Sequence, residues 1–329
     1  MTDENAGRLA GRVVIVTGAG RGIGAGYAIQ AAAAGAKVVV NDLGGGIHGE
    51  SGEAAGKSPA EQVVDTITAA GGEAVANHAD IADSDGAAAL IEETVQHFGD
   101  LDVVINNAGI LRDRMLVSMS PEEWDAVVRV HLRGHYATSH HAAAYWRNRS
   151  REAGRARDAA LIHTTSVSGL HGNVGQFNYS AAKAGIASMA INGHLELNER
   201  YQVRSYAIAP SARTRLTLSS PGAADGVAAP EDGFDFFDPA NVAPFVLWLA
   251  TADCPAPSGS VFGVEGDLVR RYQPWTIAAT IYNDGKPWSF ADLDSAYKPL
   301  AEAPSPRGLL EAIELSSAHI AQLAAGGAS

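Results

Sequence analysis

Val13-Val14-Ile15-Val16 is an unbroken β-branched run. It passes directly into Thr17-Gly18-Ala19-Gly20-Arg21-Gly22-Ile23-Gly24 and then into an Ala-rich stretch. A run with no polar alternation reads as a strand buried on both faces, which occurs in parallel sheets covered by helices. Glycines between such a strand and a helix let the chain turn tightly. They also let an anion sit at the helix N-terminus, where free N–H groups and the helix dipole favour negative charge. A Gly-rich stretch alone constrains little, but a strand before it and a helix after it form the context that gives it meaning.

The rest of the chain repeats the alternation. Val38-Val39-Val40, Val103-Val104-Ile105, Ala159-Ala160-Leu161-Ile162 and Tyr206-Ala207-Ile208-Ala209 are further short apolar runs, separated by stretches long enough for crossover helices. Ser58-Pro59-Ala60-Glu61 and Ser120-Pro121-Glu122-Glu123 each place Ser at an N-cap, Pro at the first helical position and an acid at N3. Asp238-Pro239 opens a third helix in the same way. The fold class expected is α/β, a doubly wound parallel sheet, with residues 1–269 as one domain and 270–329 as a C-terminal extension packing on it or on a partner subunit. Three stretches exceed short connections: 43–57, 211–237 and the tail from 270. The second holds Phe234, Phe236 and Phe237 and reads as a substrate lid with apolar surface.

Composition excludes several classes. With 24 Lys and Arg against 37 Asp and Glu, the formal charge of −13 leaves no general nucleic-acid footprint. A single cysteine, Cys254, excludes an intramolecular disulfide and Cys-rich metal sites. No apolar run reaches the ~18–20 residues of a membrane span, and the acidic N-terminus lacks a signal-peptide core. The expectation is a cytoplasmic protein without membrane contact. His140-His141 and His171 lack metal-ligand partners at suitable spacing, so no metal is expected.

Three groups carry chemistry. Asp42, at the end of the second apolar run, is placed to accept hydrogen bonds from an adenosine ribose and to repel a 2′-phosphate. That favours NAD over NADP, although Arg21 inside the Gly loop is a contrary signal. Tyr179 and Lys183 are four residues apart and share a helix face. A phenol is a poor base at neutral pH, but a neighbouring ammonium and a cationic nicotinamide lower its pKa, so it can take a hydroxyl proton. Ser166 stands at a strand end and can hydrogen-bond the same oxygen.

These residues, with Asn106-Asn107-Ala108-Gly109, resemble the short-chain dehydrogenase/reductase family in order and spacing. A narrower resemblance is to the (3R)-hydroxyacyl-CoA dehydrogenase units of peroxisomal multifunctional enzyme type 2 and their bacterial relatives. It rests on Asn41 to Gly45, Asn106 to Arg114, Val130-His131-Leu132-Arg133-Gly134, Gly175-Gln176 with Asn178 to Lys183, Ala243-Pro244 with Val246 to Leu249, and Asp284 to Pro287. The resemblance implies a Rossmann fold, NAD, and oxidation of a 3-hydroxyacyl-CoA with a fatty or sterol-derived acyl group. Gly18, Gly22 and Gly24 would then cradle the pyrophosphate, Asp42 the ribose and Asp80 the adenine. Arg21, Ile23, Ile81, Asn107, Ala108 and Gly109 complete the cofactor set. Lys183 would also hold the nicotinamide ribose, and Thr214 would contact the carboxamide. Ser166, Tyr179 and Lys183 would be catalytic.

The chain departs from the family pattern in three places. His131 stands where the family has an Asn whose main-chain carbonyl holds a relay water, so either a catalytic imidazole or a structural one is expected. Pro210-Ser211-Ala212 replaces the usual Pro-Gly. The terminus Gly326-Gly327-Ala328-Ser329 carries no peroxisomal tripeptide, so an enoyl-CoA hydratase partner would be a separate polypeptide. The resemblance also implies a homodimer or homotetramer. Competing readings are a hydroxysteroid dehydrogenase, a reductase acting on acyl-carrier-protein substrates, which Asp42 disfavours, and a non-catalytic cofactor sensor. Arg112 and Arg114 follow the fourth strand and face either substrate or a local ion pair involving Asp113. The basic run from Arg147 to Arg157 lies at the opposite sheet edge and reads as a solvated helix end.

Overall fold

The structure, a computed structural model, describes residues 7–45, 56–218, 226–252, 254–273, 275–283, 286–296, 298–302 and 309–326. The chain divides into two compact units, Met1–Arg271 and Tyr272–Ser329. One sheet is formed by β1 (Val13–Thr17), β2 (Lys37–Asn41), β3 (Glu73–Asn77), β4 (Val103–Asn106), β5 (Ala159–Thr164), β6 (Val203–Pro210), β7 (Val261–Glu265) and β8 (Leu268–Tyr272), all but the last residue of β8 in the first unit. Their order is β3-β2-β1-β4-β5-β6-β7-β8. The pairings from β3 across to β7 are parallel, with Val14 opposite both Val38 and Val103.

Period-two alternation explains the two cores. Val14, Val16, Val38, Val40, Ile162 and Ile208 point to one face. There they pack against Tyr27, Ala28 and Ala31 of α1 (Gly22–Ala33), Val63 and Ile67 of α2 (Pro59–Ala69), and the helix Ala243–Leu249. Ile15, Val39, Val104 and Leu161 point to the other face. They meet Leu90 and Ile91 of α3 (Ser84–Phe98), and Trp146 beyond α4 (Pro121–Val128) in α5 (Gly134–Glu152). A π-turn, Arg129–Arg133, joins α4 to α5.

Both Ser-Pro signals are capping boxes. Ser58 and Glu61 bond reciprocally at α2, as do Ser120 and Glu123 at α4. Asp238 caps a 3₁₀ turn, Pro239–Val242, that leads into Ala243–Leu249, so the third signal starts a tighter element than expected. β3 carries no uninterrupted apolar run, and its half-exposed residues give a weak signal for an edge strand.

Strand order reverses direction about β1, with β2 on one side and β4 on the other. In such sheets ligands bind beyond the carboxyl ends at that point. The second unit contains helices Phe290–Ala296, Lys298–Ala301 and Leu309–Gly326. Asp284 and Gly285 of its resemblance lie outside the described residues, as do residues 46–55, 219–225 and 327–329 of the long stretches noted above. No described helix is long and apolar enough to cross a membrane.

Candidate active site

A cleft of about 710 Å³ opens at the carboxyl ends of β1, β2, β4, β5 and β6. Every residue named above as catalytic or cofactor-binding lines it: the Gly18 to Gly24 set, Asp42, Asp80 with Ile81, Asn107 to Gly109, His131, Ser166, Tyr179, Lys183 and Thr214.

The Gly loop is built by close approach. Gly18 has φ +62°, and a Cβ there would stand 2.6 Å from the Ala108 Cα. A Cβ on Gly24 would stand 2.3 Å from the Gly18 carbonyl oxygen and 2.5 Å from Asn107 Nδ2. The Asn107 amide donates to the carbonyls of Thr17 at 3.1 Å and Gly18 at 3.2 Å, while Thr17 Oγ1 accepts the main-chain N–H of Asn107 and Ala108. Asn107 therefore locks β1 to β4 beneath the loop as well as lining the cleft. Helices α2, α3 and α4 each begin with a side-chain cap, from Ser58, Asp83 and Ser120. Helix α1 has no side-chain cap and no acid in its first turn, and its start faces the cleft. An anion such as a pyrophosphate fits an uncapped helix end of this kind.

The carboxylate of Asp42 accepts from Gly20 N–H at 2.9 Å and Gly44 N–H at 2.8 Å, so its charge is fixed against the loop. Asp80 is engaged by its own turn, through Ala82 N–H, and by Arg129 at 2.6 Å. That ion pair, across 49 residues of sequence, has no sequence signal.

At the other end of the cleft, Ser166 caps α6 (Val167–His171), and Tyr179 and Lys183 lie one turn apart on α7 (Phe177–Gly193). Lys183 is buried. Its Nζ donates to the Thr164 carbonyl at 2.5 Å and lies 5.5 Å from the centre of the Tyr179 ring. Burial lowers its pKa to about 7. Burial raises the Tyr179 phenol to about 12, against the lowering effect of its hydrogen bond with Ser166. Before anything binds, the phenol is held protonated beside an ammonium that titrates near neutrality.

His131, in the π-turn, is buried, and its ring sits edge-on to Tyr179 at 5.2 Å between centroids. Its Nε2 lies 3.1 Å from Ile110 N and 2.8 Å from Ile110 O, so either tautomer finds a partner there. Burial and the charge of Lys183 lower its pKa to about 3. The ring is thus neutral at working pH and pins the segment after β4. Gly109 leaves room for it, since a Cβ there would meet His131 Cε1 at 2.3 Å. Thr214 starts the short helix Arg215–Leu218, its Oγ1 accepting from Thr217 N–H at 3.3 Å.

Three expectations change. Arg114 does not pair with Asp113. It bonds Glu123 at 2.8 Å, and Asp113 instead accepts from Gln176, because the turn carries the two neighbours apart. Arg149 is not at a solvated helix end. It is buried and bonds Asp100 at 2.5 Å and the Leu101 carbonyl at 2.9 Å, with Asp102 Oδ1 at 3.3 Å, at the edge away from the cleft. Phe236 is not lid surface. It is buried over Gly266, whereas Phe234 is exposed. The lid stretch is clasped instead by Arg213, which pairs with Asp235 and donates its N–H to the Phe237 carbonyl at 2.7 Å. Asn178, above only part of a resemblance, also has a place in the site. Its amide donates to the carbonyls of Arg112 at 3.0 Å and Glu123 at 3.1 Å, and its oxygen accepts Tyr179 N–H at 2.7 Å. Among the described residues no cluster of His, Cys, Asp and Glu is arranged to hold a metal.

Comparison with known proteins places this geometry. The family described as short chain dehydrogenase matches residues 12–217. The hydroxyacyl-CoA dehydrogenase ChsB1 of Mycobacterium tuberculosis is 39% identical over 312 residues, covering 93% of this chain and 94% of the relative. Peroxisomal multifunctional enzyme type 2 of Mus musculus is 38% identical over 93% of this chain, which spans 40% of that longer protein. A crystal structure of a short chain dehydrogenase from Mycobacterium avium superposes with a TM-score of 0.79 at 48% identity, covering 92% of this chain and 99% of that one. A similar enzyme from Burkholderia cenocepacia, in complex with NADP, superposes at 0.65 with 25% identity over 79% of this chain and 98% of that one. On its cleft, its sheet order and these matches, the chain belongs to the short-chain dehydrogenase/reductase family of oxidoreductases acting on CH–OH groups.

Proposed function

We propose that the protein oxidises a 3-hydroxyacyl-CoA to the 3-oxoacyl-CoA with NAD. The observation that carries the reaction type is the convergence of Ser166, Tyr179 and Lys183 in the same cleft as the uncapped start of α1. The substrate class is supported by the two relatives above, which are named for hydroxyacyl-CoA and multifunctional peroxisomal enzymes. NAD is supported by the fixed Asp42 carboxylate, which disfavours a 2′-phosphate.

The chain's residues divide the work. The N–H groups opening α1 would take the pyrophosphate, and Asp42 the adenosine ribose. A bound nicotinamide dinucleotide supplies the hydride acceptor and a positive charge near Tyr179. Ser166 holds the substrate hydroxyl oxygen. Tyr179 takes the hydroxyl proton, with its high resting pKa brought down by the cation and by Lys183. Lys183 stays fixed by the Thr164 carbonyl. His131, neutral and tied to Ile110, positions the wall opposite and transfers no proton near neutral pH. Homodimeric or homotetrameric assembly and a cytoplasmic setting belong to the same reading. The reaction class that supplies such a substrate is hydration of an enoyl thioester.

The test is an assay of purified protein with a (3R)-hydroxyacyl-CoA series, free steroid alcohols, and NAD or NADP. NAD-dependent turnover of the thioesters is expected, with Tyr179→Phe inactive yet folded and Asp42→Ser narrowing the preference against NADP. Turnover confined to steroid alcohols would replace the substrate, and an active Tyr179→Phe variant would refute the mechanism.

A further inference from the structure

The segment that leaves β4 is pinned at several of its polar groups. His131 Nε2 lies 3.1 Å from Ile110 N and 2.8 Å from Ile110 O, and so holds one or the other according to its tautomer. The Arg112 carbonyl accepts from Asn178 at 3.0 Å, and the Asp113 carboxylate from Gln176 at 2.8 Å. Arg114 donates its N–H to the Gly175 carbonyl at 2.8 Å and its guanidinium to Glu123. The one charged side chain of the segment outside these bonds is that of Arg112. The Arg112 guanidinium lines the cleft and makes no hydrogen bond or ion pair among the described residues, although Glu123, already paired with Arg114, lies within electrostatic range.

Its surroundings and placement narrow what it is for. The same cleft is lined by the apolar side chains of Ile110, Ala126 and Val130. A partly desolvated guanidinium in such a place gains a charge-assisted hydrogen bond from an incoming oxygen. Of the cleft's other cations, Arg129 pairs with Asp80 and Lys183 with the Thr164 carbonyl, while Arg21 and Arg215 belong to the Gly loop and to the short helix after Thr214. Asn178 ties Arg112 to the reaction centre, since it grips the Arg112 carbonyl with its amide and Tyr179 N–H with its oxygen. One buried side chain therefore ties the main chain of Arg112 to that of Tyr179.

We propose that Arg112 binds the acyl carbonyl oxygen of the thioester, and so selects alcohols whose hydroxyl lies two carbons from a carbonyl. The inference rests on the proposed hydroxyacyl-CoA reading and deepens it. A 3-hydroxyacyl group presents two oxygens a few ångströms apart. One goes to Ser166 and Tyr179 and the other to Arg112. The phosphates of the CoA lie at the far end of its pantetheine arm, well removed from the acyl carbonyl.

Arg112→Met and Arg112→Lys are compared with wild type on three substrates: a 3-hydroxyacyl-CoA, the same acyl group on N-acetylcysteamine, and a secondary alcohol of equal length with no carbonyl. Arg112→Met is expected to lower kcat/KM about 10- to 100-fold on both thioesters, and the ratio of thioester to plain alcohol by a similar factor, with partial recovery in Arg112→Lys. Melting temperature and NAD affinity report whether each variant is folded, and a misfolded Met variant leaves the Lys variant to decide by the same ratio. A loss confined to the full CoA thioester would assign Arg112 to phosphate and overturn the proposal, as would an unchanged ratio. If wild type turns over neither thioester, the hydroxyacyl reading and this inference both fall. If it turns over both and the ratio does not move, only this inference falls.

Discussion

Two glycines on α1, two residues apart, are expected to respond oppositely to the same substitution. A Cβ at Gly24 would stand 2.3 Å from the Gly18 carbonyl oxygen and 2.5 Å from Asn107 Nδ2, whereas a Cβ at Gly26 would meet nothing within 4 Å. The first contact is against main chain and a hydrogen-bonded, half-buried amide, so the strand-to-helix crossing must open. Overpacking of that kind costs about 1–3 kcal/mol. Displacing Asn107 puts its bonds to Thr17 and Gly18 at risk, about 0.5–1.5 kcal/mol each. Helix propensity returns about 1 kcal/mol. Gly24→Ala should therefore lose about 3 kcal/mol, a fall of roughly 6–12 °C in Tm, and weaken NAD binding at least about tenfold because the N–H groups opening α1 shift. Gly26→Ala keeps only the propensity gain and should rise by about 2–4 °C with unchanged NAD affinity. Circular-dichroism melts and NAD titrations measure both. A Gly24→Ala protein as stable as wild type, or equal shifts of one sign in the two variants, would refute the packing argument.

Lys183→Met tests the buried ammonium. With its pKa lowered by burial from 10.5 to about 7, Lys183 destabilises the folded state fully below pH 7, and the penalty fades as pH rises from there to 10.5. In urea unfolding the inactive Met variant should be more stable than wild type at about pH 6.5, by up to about 4 kcal/mol, and lose that advantage by about pH 10; a pH-independent difference contradicts the buried charge. Arg149→Met removes the buried cation shared by Asp100 and Asp102, and should cost about 2–4 kcal/mol while leaving NAD affinity alone, because the cluster lies at the other sheet edge. Burial works to raise the Asp100 pKa, but hydrogen bonds from Arg149 and Tyr145 outweigh it and hold the carboxyl below its ordinary value. Stability from this group is lost as pH falls through that lowered pKa, so the variant should unfold at a higher pH in acid titrations, and an unshifted acid midpoint would show that the pair is not coupled to folding.

The amino-acid order alone determined the layered sheet, because strands buried on both faces must be apolar throughout and their helices must start somewhere. β1, β2, β4, β5 and β6 are legible as β-branched and small apolar runs, and Ser58 and Ser120 as reciprocal caps. The site was legible where its residues are close in sequence: the Gly loop, Asp42, and Tyr179 with Lys183. β3 was not, since an edge strand with half-exposed residues has no such run. Tertiary structure alone decided which charges are paired. Arg149 reads as one more arginine in a basic run until the fold brings it to Asp100 and Asp102, and Arg129 meets Asp80 across 49 residues. It also decided that His131 is neutral, because burial and the Lys183 charge that lower its pKa come from packing. The bond from Asn178 to the Arg112 carbonyl crosses 66 residues, and through it the main chain of Arg112 is tied to the helix that carries Tyr179. Local pattern is written along the chain, but desolvation and ion pairing depend on what the closed sheet brings together, and no spacing in the sequence encodes that.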